Sequence, residues 1–197
     1  MANFDRKLFV LLGSLIAAGG LDPAEKWTRA QAAQPLAALP GPAPEVLPAD
    51  ALLDAQLQDL EDKPVSLRAM RGKVVVVLHQ DRHSSEQNPT FKDRLGELVL
   101  RHPEKLRLVA LAEVGSYNFW PARRYVKDAL RPLRELGGAL VACDWKAAVQ
   151  KKFRIPAKQS AVFVIDKDGT LQVFSTGVLP TARSAELLSQ IEKLALD

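Results

Sequence analysis

The chain has 197 residues, 47% of them hydrophobic and 25% charged, with 27 Lys plus Arg against 23 Asp plus Glu. That balance describes a globular domain with some additional chain, and a net charge of +4 is too small a surplus to point to nucleic acid. The single cysteine, Cys143, excludes an internal disulfide, a CxxC redox pair and a four-thiolate metal site. No run of about 18 apolar residues is present, so no ordinary membrane-spanning helix is expected.

Residues 1–22 read as an apolar N-terminal segment. Arg6 and Lys7 precede the run Leu8 to Ala18, which closes on Ala17-Ala18-Gly19-Gly20. This is the outline of a bacterial export signal, with Asp5 an atypical member of its charged start. The same pattern suits a helix packed on the domain or on a partner. It also suits an uncleaved membrane anchor, giving peripheral association through residues 8–18, since so short a run cannot cross about 30 Å of hydrocarbon. Asp22 and Pro23 predict a short helix to Gln34. Pro35, Pro40, Pro42, Pro44 and Pro48 then make a stiff, extended linker through residue 49. A single domain is expected over residues 50–197.

That domain opens with Leu52 to Leu60, a turn at Glu61-Asp62-Lys63-Pro64, and Val65 to Leu67. Val74 to Leu78 is continuously apolar and mostly β-branched, as a buried central strand requires. A polar loop over His79 to Pro89 leads to a helix, Thr90 to Leu100. Phe91, Leu95, Leu98 and Val99 mark its inner face, and Lys92, Asp93, Arg94 and Glu97 fall mostly on the others. Leu106 to Ala112 is a second buried strand. A further helix has Ala122, Val126, Ala129, Leu130 and Leu133 on its inner face, with Pro132 a source of a kink and Gly137-Gly138 its end. Leu140 to Ala142 is a short strand, and Asp144 caps a helix from Trp145 to Phe153. Ala161 to Ile165 and Leu171 to Phe174 are strands joined by Asp166-Lys167-Asp168-Gly169. Thr181 is expected to cap the last helix, through Leu196. Strands alternating with helical crossovers predict an α/β fold, a mixed sheet covered by helices on both faces.

Two segments carry a family resemblance over about residues 52–195. Pro64-Val-Ser-Leu-Arg-Ala-Met-Arg-Gly-Lys73-Val-Val-Val-Val resembles the approach to the first central strand of thioredoxin-like proteins, in both their thiol-disulfide and peroxiredoxin branches. Ala161-Val-Phe-Val-Ile-Asp166-Lys-Asp-Gly169-Thr-Leu resembles the hairpin after their active-site proline. The resemblance implies a thioredoxin-like fold. It also implies a degenerate active site: the two family thiols correspond to Ser84 and Gln87, the family cis-proline corresponds to Ser160, and Pro156 stands four residues too early. The peroxiredoxin Thr-x-x-Cys is absent as well. Val77-Leu-His79 with Ser84-Ser85, together with Ser160-Ala-Val-Phe-Val-Ile-Asp-Lys-Asp-Gly, is closest to the YtfJ-like bacterial branch. That branch implies frequent export and no assigned activity.

Three groups of residues are candidates for chemistry. Cys143 is a candidate reactive thiol, since a helix N-terminus would lower its pKa while neighbouring Asp144 would raise it. His79, Asp81, His83 and Glu86 form a candidate ligand loop beyond the central strand, where open α/β sheets bind ligands. Ser84 beside either histidine lacks the elbow motif of a serine nucleophile. Arg124, Lys127, Arg131 and Arg134 step along one helix side after Tyr117, Phe119 and Trp120, a pattern suited to docking a protein. A solvated helix face and an aromatic loop folded onto the core would read the same. No metal and no cofactor is called for.

The leading expectation is a redox-inactive binding or assembly module that docks a protein partner, more a binder than an enzyme. It would be periplasmic or membrane-associated on the exported side, with a cytoplasmic location the alternative. Other functions left open are a small-molecule or metal-binding periplasmic protein and a thiol-linked or peroxidase-like enzyme using Cys143.

Overall fold

The computed structural model describes residues 50–135 and 138–197. The expected N-terminal segment, first helix and proline-rich linker lie outside these residues.

Seven strands form one mixed sheet. Val74 to Gln80 (β3) is buried at every position, and its neighbours are Leu106–Glu113 (β4), parallel to it, and Ala161–Ile165 (β6), antiparallel. Leu140–Asp144 (β5) continues the parallel set beside β4. Leu171–Thr176 (β7) closes one edge against β6, and Leu57–Gln58 (β1) with Pro64–Val65 (β2) forms the other, giving the order β2-β1-β5-β4-β3-β6-β7.

Side chains alternate across a strand, so β3 feeds two cores. Val74, Val76 and Leu78 face the helices Pro89–Arg101 (α2), Ala122–Glu135 (α3) and Thr181–Leu196 (α5) through Leu95, Leu98, Leu130, Leu187 and Ile191. Val75 and Val77 face Leu52 and Leu53 of the short helix Asp50–Leu53 (α1), Val149 of Ala148–Lys152 (α4), and Phe153 and Ile155. Each fully buried aliphatic side chain contributes roughly 1.5–3 kcal/mol. The expected mixed sheet covered on both faces is therefore what forms.

Several local expectations need correction. Leu52 to Leu60 is split: Leu52 and Leu53 belong to α1, and only Leu57 and Gln58 enter the sheet. The 59–63 turn is closed by Asp59, whose Oδ1 accepts from the N–H groups of Glu61 and Lys63. β3 runs on through His79 and Gln80, because both pair with β4. β5 likewise extends through Cys143 and Asp144. The helix expected from Trp145 begins only at Ala148. Asp144 caps it from four residues back, accepting from Ala148 N at 2.9 Å and Val149 N at 2.7 Å, with Ala147 in a left-handed turn between them. The N-cap of α5 is Pro180, not Thr181, which is the first helical residue. Pro132 is accommodated within α3.

Candidate functional site

The loop after β3, expected from the resemblance to stand where the thioredoxin-like family has its thiol pair, is closed by hydrogen bonds. Asp81 organises its start. Oδ1 accepts from His83 N, Ser84 N and Ser84 Oγ at 2.7–2.9 Å, and Oδ2 accepts from Lys158 N at 3.0 Å. These donors outweigh the burial of the carboxyl, leaving its pKa below the ordinary value. Ser84 is completely buried, and its Oγ also accepts from Asp81 N. Nothing of this hydroxyl faces an approaching substrate.

Gln87 and Ser160, expected at the second thiol position and the cis-proline position, touch each other. Gln87 Oε1 accepts from Ser160 N at 2.9 Å and Ser160 Oγ at 3.1 Å, while Gln87 Nε2 donates to Lys158 O at 2.8 Å. Asn88 completes the closure. Its amide donates to Gly177 O and Ser160 Oγ, and its Oδ1 accepts from Leu179 N at 2.7 Å. Asn88 was not singled out from the sequence. The readable signal is an Asn immediately before the first proline of a helix, and its left-handed backbone, φ +57°, is one that Asn tolerates well. Lys92 is a second surprise. It was expected among the polar positions of its helix, yet it is buried and donates to Ser85 O at 2.6 Å. Burial lowers its pKa to about 8, against the opposing pull of Asp93 and Glu86.

The expected ligand loop does not come together as a metal centre. His79 is in the sheet, Glu86 is exposed in the loop, and no group of three or more potential metal ligands exists among the described residues. His79 is almost fully buried, and neither ring nitrogen has a hydrogen-bond partner. Desolvation lowers its pKa to about 4, although Asp144 and Asp81 pull the other way. The pleat explains their nearness. Asp81 is two residues beyond His79, and Glu113 and Asp144 are paired two residues beyond Leu111 and Ala142, the neighbours across from His79. The three carboxylates therefore sit in a row along the ends of β3, β4 and β5, one layer above the imidazole. Glu113 is half-buried and accepts from Gly115 N, and burial raises its pKa.

Cys143, expected between a strand and a helix, is inside β5 with no exposed surface. Burial pushes its pKa up to about 12, so the thiolate that nucleophilic chemistry needs is suppressed.

The aromatic and basic residues around the start of α3 divide sharply. Trp120 is 86% exposed and Phe119 58%, so neither folds onto the core. Tyr125, not among the expected residues, is 71% exposed one turn away. Arg124 and Arg131 are exposed on the following helix, both next to Asp128. Tyr117 instead packs against the core. Lys127 leaves the stripe: its side chain is 16% exposed and ion-paired with Asp62, which also holds Arg123. The side chain of Arg134 lies outside the described residues.

One charged feature went unread in the sequence. From residue 145 to 165 there are five cations, Lys146, Lys151, Lys152, Arg154 and Lys158, and no acid. A count of charge by segment would have found it.

No family model matches the chain, and no curated protein matches it. Solved structures do. A candidate thiol:disulfide interchange protein, DsbE from Chlorobium tepidum, is 19% identical with a TM-score of 0.51, over 72% of this chain and 92% of that one. The exposed lipoprotein thioredoxin Etrx1 of Streptococcus pneumoniae strain TIGR4 is 15% identical with a TM-score of 0.52, over 68% and 97%. BsSco, of the Sco family of cytochrome c oxidase assembly proteins, is 14% identical with a TM-score of 0.50, over 71% and 90%. The chain has the thioredoxin-like fold, with one cysteine and no CxxC. It cannot run a dithiol–disulfide cycle within itself.

Proposed function

We propose that this protein is a redox-silent thioredoxin-like docking module of an exported bacterial protein, which recognises a protein partner through Phe119, Trp120, Arg124 and Arg131. One observation carries the reading: the 86% exposure of Trp120 beside two other exposed aromatic rings. Large aromatic groups held in water are what interfaces bury, and Trp, Tyr and Arg supply most hot spots. The sealed loop at the family's redox position supports a binding role, since it leaves no thiol and no reachable hydroxyl there. Export is supported by the pattern of residues 1–22 and by the likeness to an exposed lipoprotein thioredoxin.

A photocrosslinking side chain placed at position 119 in the native cell should capture a discrete protein. Trp120→Ala should weaken that captured complex by about 2 kcal/mol or more. Capture and affinity unchanged in Trp120→Ala would remove this face from the function.

A further inference from the structure

A separate site lies at the carboxyl ends of β3, β4 and β5, independent of the docking ridge. The loops that follow these strands enclose a cavity of about 560 Å³, within the ordinary size range of small-molecule sites. In open α/β sheets this end of the parallel strands is where ligands collect.

Cations outnumber acids around it. Arg82, Lys146, Lys151 and Lys158 line the cavity, and none of them is in an ion pair among the described residues. Elsewhere among the described residues, Arg68, Arg101, Arg123, Lys127, Arg131 and Arg183 are each paired with a carboxylate, while others such as Arg94, Lys105, Arg107 and Lys193 are not; the cavity differs in gathering four such cations in one concave lining. Asp81 and Glu113 also line the cavity and offset part of this charge, leaving four cations against two acids. Asp81 accepts from backbone and hydroxyl donors, and Glu113 is turned onto Gly115 N. The lysines are held in place: Lys146 Nζ donates to Gln56 Oε1 at 3.0 Å, and Lys151 Nζ donates to Lys146 O at 3.1 Å. Lys158 is set by a left-handed backbone, φ +64°, whose N–H goes to Asp81.

Trp145 borders the cavity with the edge of a ring that is otherwise buried in the core. Arg123 lies over the ring, 4.4 Å from its centroid, so the indole is clamped in position.

We propose that this cavity binds a small organic polyanion, a phosphate ester or polycarboxylate, through Arg82, Lys146, Lys151 and Lys158, with its body against Trp145. Unpaired cations around a concave surface attract a compact multiple charge, and the aromatic floor suits an organic body over a bare ion.

The test follows the indole resonance of Trp145 by NMR in the full chain, assigned by elimination with Trp27→Phe and Trp120→Phe. Phenyl phosphate and citrate are the probes. Either should give a saturable shift with a Kd below about 1 mM at about 0.15 M salt. The Lys151→Gln/Lys158→Gln variant should bind at least about tenfold more weakly. Arg94→Gln/Lys193→Gln, on exposed helix positions outside the cavity, should bind as the parent does. A linear, unsaturating shift, equal affinity in the Lys151/Lys158 variant, or binding to anionic vesicles but to neither soluble probe would overturn the proposal. Thermal unfolding of each variant shows whether the comparison is between folded proteins.

Discussion

The loop after β3 and the loop before α3 follow strands of the same sheet, yet they treat their side chains in opposite ways. In the first, Asp81, Ser84, Gln87 and Asn88 turn inward and use their donors and acceptors on one another, on Ser160 before β6 and on nearby backbone. In the second, Phe119 and Trp120 turn outward into water. Both arrangements carry information about function. A polar group satisfied within the fold has nothing left to offer a substrate, whereas an apolar ring left in water has its whole burial free energy still to gain. The contrast sets a closed loop after β3 against an open surface before α3.

Asn88→Ala should break the closed side most severely. It strands Leu179 N, which is buried, leaves Gly177 O only the longer bond from Ser160 Oγ, and puts alanine into a left-handed backbone. The expected loss is about 3 kcal/mol in urea unfolding. A loss below about 1 kcal/mol would mean that the loop is not held by this residue.

Acid should act next, through His79. Its pKa is about 4 when folded against an ordinary value of 6.5. Between those values the unfolded chain binds the extra proton, so stability falls as pH drops through the window. From pH 8 to pH 5 this group alone should remove about 2 kcal/mol. His79→Leu should flatten the pH dependence by that amount in the same unfolding measurement. Parallel pH curves for the two proteins would show that the imidazole is protonated in the fold.

The smallest effect should come from the open side. Trp120→Ala should change unfolding free energy by less than about 0.5 kcal/mol, as for other surface substitutions. A larger loss would make Trp120 a structural residue and erase the contrast between the two loops.

Much of the architecture was legible in residue order. The β-branched run Val74 to Leu78, the Asp166-Lys-Asp-Gly turn and the helical periodicities are local signals, and each formed, with β3 running two residues further and the helix expected from Trp145 starting at Ala148. The single cysteine excluded an internal dithiol cycle without reference to any coordinates.

What residue order could not decide was the surroundings of individual side chains. Arg124 and Lys127 look equivalent on one helix face, but Asp62, brought in from the β1–β2 turn, takes Lys127 and leaves Arg124 outside. Gln87 and Ser160 are 73 residues apart and meet only because β3 and β6 are neighbours in the sheet. Whether Trp120 belonged to the core or to the surface depended on how the loop left β4. Local propensity and periodicity act over a few residues and are written in the sequence. Burial and pairing are set by chain segments that only the folded sheet brings together, so the sealed loop, the exposed ridge and the basic cavity were decided by tertiary structure.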